Sequence, residues 1–150
     1  MSDLIQLSIS GRVFRHGIEK LFEPIRKKYK LRQIELEIVN MFGGTDVLSA
    51  SRVCSALDLN KGHVSQAMFN LCLGGYIRPE HSCADRRLVS YRLTEAGERL
   101  LATLQSCRAE LERRISDGLD DSDIETFNRI VEKMLDNAKK IKNTDILQKT

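Results

Sequence analysis

Three consecutive side chains, Asp85, Arg86 and Arg87, set one carboxylate beside two guanidiniums. Guanidiniums on an exposed turn suit phosphate, or the negative potential of a narrow minor groove, into which arginine inserts readily. A carboxylate there would repel phosphate. It fits such a surface if it pairs with Arg87 and holds the tip in shape, leaving Arg86 free. A second group lies upstream, in Lys61-Gly62-His63-Val64-Ser65-Gln66. Gln66 has the paired donor and acceptor that match an adenine edge, and His63 or Ser65 could reach a base or a phosphate. Gly62 lets a nucleic-acid backbone approach closely, and Lys61 and Asn70 share the outer side of the same helical stretch.

Catalytic chemistry has no comparable footing. The chain contains no GxSxG, no HExxH and no phosphate-cradling glycine loop, and its three histidines fall in different elements. Gly43-Gly44 and Gly74-Gly75 read as helix stops. Cys54, Cys72, Cys83 and Cys107 lie far apart without a CxxC pair, so neither a metal site nor a disulfide framework is expected. Cys54, Cys72 and Cys107 fall on or beside apolar helical faces, where a cysteine serves as a small buried hydrophobe. Cys83, near the charged tip, is the one candidate for a redox sensor. No enzymatic activity, cofactor or metal is expected.

At 150 residues, 41% hydrophobic and 30% charged, the chain reads as one helix-rich globular unit with no membrane partner. The absence of a signal-like start and the cysteine usage point to the cytoplasm. Net charge is only +3, but residues 1–33 carry 8 basic against 3 acidic side chains, and residues 52–92 carry 6 against 3. Residues 93–150 reverse this, with 10 against 12. A basic middle allows contact with nucleic acid without requiring it.

The elements that must position these groups follow from periodicity. Phe14, Ile18, Leu21, Phe22 and Ile25 predict a first helix over Ile9 to Lys28. Leu31, Ile34, Ile38, Met41 and Phe42 predict a second, stopped by Gly43-Gly44. Ser49 caps a short third helix carrying Ala50, Val53 and Leu57. Asp58-Leu59-Asn60 is a tight turn, and Asn60 caps a fourth helix with Val64, Ala67, Met68 and Leu71 inward. Tyr76-Ile77-Arg78 begins an edge strand that Pro79 limits. Leu88 to Leu93 alternates as a half-buried strand, with Val89, Tyr91 and Leu93 on the apolar side. Thr94 caps a long helix from Glu95 to about Ser116. Ser122 and Glu125 predict a capping box for the last helix, in which Ile124, Phe127, Val131, Met134, Ala138 and Ile141 form a heptad seam.

Two short helices across a tight turn, a hairpin and a long helix are the order of a winged helix-turn-helix, whose second helix enters the major groove. The residue detail resembles the MarR family of transcription regulators. That family's wing signature, Asp-x-Arg, five variable residues, then Leu-Thr-x-x-Gly, matches Asp85-Arg86-Arg87, Leu88 to Arg92 and Leu93-Thr94-Glu95-Ala96-Gly97. His63-Val64-Ser65-Gln66 resembles the start of its recognition helix, and Gly75-Tyr76-Ile77 its entry to the wing.

The resemblance implies a mainly α fold with a β-hairpin wing. It places a DNA-binding lobe at 31–93, a helical dimerisation region at 1–30 and 94–142, and a frayed tail at 143–150. It further implies a homodimer on a near-palindromic double-stranded DNA site, acting as a repressor. Lys61, Gly62, His63, Ser65, Gln66, Asn70, Arg86, Arg87 and Ser49 are the expected DNA-facing residues, with Asp85 orienting the wing. Family behaviour also implies a small effector resembling an aromatic acid, for which Arg12, Arg15 and His16 supply cations and Met41 and Phe42 an apolar wall. Gln66 stands where the family often has arginine, and Pro79-Glu80-His81-Ser82-Cys83 is less basic than the usual first wing strand. The rival readings are a thiol sensor acting through Cys83 and a winged-helix interaction module that has lost DNA binding.

Overall fold

The computed structural model describes residues 4–81 and 89–141. The chain divides into two compact units, residues 1–106 and residues 107–150.

In the first unit, the stretch expected as one helix is two, α1 (Leu4–Leu21) and α2 (Glu23–Tyr29). Pro24 is the reason: in a continuous helix it would leave a carbonyl without its donor and crowd the preceding turn, so it sits in the first turn of α2 behind Phe22. Helix α3 (Gln33–Met41) is shorter than expected and closes through a 3-10 turn, Phe42–Gly44. A two-residue strand that the periodicity did not reveal, β1 (Leu48–Ser49), leads into α4 (Ala50–Leu57).

Ser49 caps α4 as expected, its hydroxyl accepting the Arg52 N–H at 3.3 Å. Asp58 ends α4 in the left-handed region, φ 51°, which an aspartate tolerates better than most side chains. Asn60 then caps α5 (Lys61–Leu73), accepting the His63 N–H at 3.0 Å. The four inward residues of α5, Val64, Ala67, Met68 and Leu71, are all buried.

After Gly75, whose φ of +72° favours glycine, the chain forms β2 (Ile77–His81) and returns as β3 (Val89–Leu93). The strands make an antiparallel sheet in the order β1-β3-β2, so β2 is an edge. Pro79 does not end β2; it pairs with Tyr91 inside the strand, tolerable because the edge asks for fewer N–H donors. The core gathers α3, α4 and α5 over this sheet, with Leu36, Ile38, Val39, Leu48, Val53, Leu71, Ile77 and Leu100 buried together.

Thr94 joins the hairpin to α6 (Glu95–Ile115). Its N–H donates to the Tyr76 carbonyl at 3.0 Å, its hydroxyl donates to the Gly75 carbonyl, and it accepts the Gly97 N–H at 3.2 Å. Gly97 is buried against Tyr76 so tightly that no β-carbon fits. Glycine at this place in the Leu-Thr-x-x-Gly pattern is therefore a packing requirement.

The second unit contains the end of α6 and α7 (Asp121–Lys140). The cap of α7 is Asp120, not Ser122. The Asp123 N–H donates to the Asp120 carboxylate at 2.8 Å, and Asp123 returns the bond to the Asp120 N–H. Aspartate caps as well as serine and starts the helix earlier. No residue of α7 is buried among those described; Phe127 is 63% exposed, and Ile130, Met134 and Leu135 are exposed with it. Ile141 lies just past the helix as its C-cap.

Candidate nucleic-acid interface

The outer side of α5 brings together most of the expected DNA-facing residues. Lys61, Gly62, His63, Ser65 and Gln66 are all exposed, in the first two turns. A β-carbon at Gly62 would meet only Asn60 Oδ1, at an ordinary 3.4 Å, so no internal packing demands glycine there. Ser49, at the end of β1, is half-buried; its hydroxyl serves the α4 cap and lies 3.1 Å from the Ser51 hydroxyl.

The turn fixes the face that His63 presents. Asn60 commits its carbonyl oxygen to the His63 backbone N–H, so its amide nitrogen, 3.2 Å from His63 Nδ1, is the donor between them. A neutral ring held this way accepts at Nδ1 and carries its proton on Nε2, a donor turned to solvent.

Gln66 and Asn70 are linked: Gln66 Nε2 donates to Asn70 Oδ1 at 3.0 Å. Asn70 is half-buried rather than outward, because its own amide nitrogen donates to Glu35 Oε1 on α3 at 2.9 Å. Glu35, 2% exposed, is the one charged side chain buried among the described residues. It also accepts from Arg32 Nε at 2.8 Å and from the Arg32 backbone N–H at 2.7 Å, tying the N-cap residue to the first turn of α3. Periodicity assigns residue 35 no role, so sequence reasoning missed it. An acidic residue three positions into a helix would have been the signal.

Two further α5 residues were missed. Phe69 and Leu73 are 61% and 79% exposed, one helical turn apart on the outward side. Completing the inward stripe of Val64, Ala67, Met68 and Leu71 leaves them no other direction.

Asp85, Arg86, Arg87 and Cys83 lie outside the described residues, as do residues 143–150. The strands that carry the tip pair from Ile77 with Leu93 to His81 with Val89. Across them Arg92 bonds Glu80, so the acidic residue of the first wing strand is neutralised by its neighbour.

The expected effector residues are only partly brought together. Arg12, Arg15 and His16 line one shallow, open face of α1 with Val13 and Glu19. Glu19 lies within 3.8 Å of Arg15 and 3.9 Å of His16. Phe42 is buried in the core and Met41 packs against it half-buried, so neither lines that face. Cys54 and Cys72 are half-buried, but Cys107 is exposed, against the expectation of a buried hydrophobe: α6 has left the core before it reaches that turn. Burial pushes the Cys72 thiol above its ordinary value. No metal-binding cluster occurs among the described residues, and no helix among them is long and apolar enough to cross a membrane.

Residues 29–97 match the family model described as a winged helix DNA-binding domain. No curated protein matches the chain. Solved structures do. FabT of Streptococcus pneumoniae in complex with DNA superposes with a TM-score of 0.77 at 19% identity, over 93% of this chain and all of that one. MepR of S. aureus in its DNA-binding conformation gives 0.80 at 19% identity, over 88% of this chain and 98% of its own. BpsR of Bordetella bronchiseptica, whose DNA binding is regulated by 6-hydroxynicotinic acid, gives 0.70 at 19% identity, over 86% and 98%. With Asn60, Gln66 and the β2–β3 hairpin placed as described, residues 29–97 form a winged helix that matches a DNA-binding domain model, and the chain shares the fold of FabT, MepR and the solved MarR proteins.

Proposed function

We propose that the chain is a homodimeric repressor that reads a near-palindromic site in double-stranded DNA and is released by a small effector. The observation that carries this reading is the division of α5. Its inward residues are buried to the last atom that matters for packing, while His63, Ser65 and Gln66 are exposed together with unused donors and acceptors. Arg86 at the wing tip anchors the minor groove and Asp85 orients Arg87. Pairing with a second copy would cover the exposed apolar residues of α1 (Val13, Phe14, Leu21) and, separately, those of α7 (Phe127, Ile130, Met134). A 20-residue helix with no buried side chain is marginal in water by itself. Arg12, Arg15 and His16 suit a carboxylate effector, as the regulation of BpsR by an aromatic acid illustrates. Such a regulator works where the DNA is, in the cytoplasm.

Mobility shifts with genomic fragments at low and moderate salt test the reading. Specific binding that weakens steeply with salt is expected. Gln66→Ala should cost about 1–3 kcal/mol on the proper site and relax one position. Absence of any specific fragment would leave the interaction-module reading; equal loss on specific and random DNA would remove Gln66 as a reader.

A further inference from the structure

Glu35 poses a question that helix capping does not answer. An exposed glutamate would make the same bonds to Arg32, yet this one is buried and turned toward α5, where it holds Asn70. Burying a carboxylate is costly, so its geometry carries information.

A carboxylate only accepts hydrogen bonds. Whatever way an amide could be turned, Asn70 must therefore present its NH2 group to Glu35, as it does at 2.9 Å. That leaves Asn70 Oδ1 facing Gln66, and an oxygen there accepts only if Gln66 offers its own NH2, as it does at 3.0 Å. One buried charge thus sets the polarity of two amides in series. Gln66 is left with Oε1 and its second N–H free for the groove.

We propose that Glu35 is a positioning residue which, through Asn70, fixes the orientation of the Gln66 amide so that it selects adenine over guanine. The proposal rests on the reading of Gln66 as a base contact. Adenine shows a donor at N6 beside an acceptor at N7, matching Oε1 and the remaining N–H. Guanine shows two acceptors, O6 and N7, so the fixed Oε1 would face O6 without a proton between them. A free glutamine could turn over and avoid this conflict. A tethered one discriminates.

The experiment selects binding sites for the full chain from a randomised duplex pool at one salt concentration. Gln66→Ala identifies the position that depends on Gln66, and the wild type should prefer adenine over guanine there by at least about fivefold. Asn70→Leu cuts the relay and leaves the Arg32–Glu35 pair in place. Glu35→Gln keeps the shape but lets both amides reverse. Both variants should reduce that preference to within about twofold, leave the other positions unchanged and bind random duplex as the wild type does. The double variant Glu35→Gln/Gln66→Ala should be no flatter than Gln66→Ala. If Glu35→Gln does not fold, judged by circular dichroism, Asn70→Leu decides alone. Retention of the adenine preference by Asn70→Leu overturns the relay while Gln66 stands as a reader; so does a wild-type preference for guanine at that position. If Gln66→Ala changes no position, the base-contact reading fails and the relay falls with it.

Discussion

Gly97→Ala separates two effects that oppose each other. Gly97 is the third residue of α6, and in an unobstructed helix alanine would be favoured there by about 1 kcal/mol. Here the new methyl would meet Leu93 Cδ2 at 2.9 Å and the Tyr76 carbonyl carbon at 3.1 Å, with the carbonyl oxygen closer still. Leu93 can turn aside, but Tyr76 cannot. Its oxygen accepts the Thr94 N–H at 3.0 Å and would have to retreat by on the order of 1 Å to reach an ordinary contact. Overpacking of this kind costs about 3 kcal/mol, and the loosened hydrogen bond about 1 more. Against the helix gain, the net is a destabilisation of about 3 kcal/mol. For a chain of this size that lowers Tm by about 6–12 °C. Thermal unfolding followed by circular dichroism, at one fixed protein concentration because the proposed dimer would melt with mass action, measures it. A Tm equal to or above that of the wild type would refute the close approach of α6 to Tyr76.

Other expectations follow from separate features. Met134→Lys places a charge on the exposed apolar stripe of α7 and should give monomer or unfolded protein in sedimentation, since the charge would be buried in the proposed dimer. Alkylation at neutral pH followed by peptide mapping should modify exposed Cys107 ahead of Cys72, whose thiol burial pushes up; a raised value means less thiolate, so Cys72 should gain reactivity only as pH rises. The Glu110 carboxyl, hydrogen-bonded by Arg113 and Arg114, is held down at about 2. A lowered folded value means that its contribution is fully present above the ordinary glutamate range and is lost as pH falls through about 2. A carboxyl NMR titration should show a midpoint well below that range, moving toward it in high salt.

What the residue pattern conveyed was mainly packing. Val64, Ala67, Met68 and Leu71 could be assigned inward because four apolar residues at helical spacing leave one solution, and all four are buried. Ser49, Asn60 and Thr94 were legible as caps because a short oxygen-bearing side chain before an apolar period has a local reason to be there. The split at Phe22 was hidden because the apolar spacing runs through it and only Pro24 objects. Strand β1 was hidden because two residues have no periodicity; Leu48 and Ser49 are a strand only through Tyr91 and Ser90 of β3. The cap of α7 was ambiguous in sequence because Asp120, Asp121 and Ser122 could each serve, and the first takes the helix. Glu35 was invisible for a deeper reason. Its partner Asn70 is 35 positions away, and no local pattern announces a pair formed by the packing of two helices.

The two halves of the wing signature are then different kinds of information. Each letter of Leu93-Thr94-x-x-Gly97 has a structural cause: Leu93 packs on the core, Thr94 ties the strand to Gly75 and Tyr76, and Gly97 makes room for the Tyr76 backbone. All three roles are internal to the fold, so this half would persist in a winged helix that bound nothing. The case for reading DNA must come from residues the fold does not need. His63 and Gln66 meet that condition: their side chains are exposed, and the core closes without them. Asn70 and Glu35 meet it only in part, since they are tied into the lobe while pointing toward the reading face. Substitutions at 64, 67, 68 or 71 should therefore lower stability and DNA affinity together, whereas those at 63 and 66 should lower affinity alone. A change at 70 that altered base preference without altering stability would show that the relay belongs to the reading surface and not to the core.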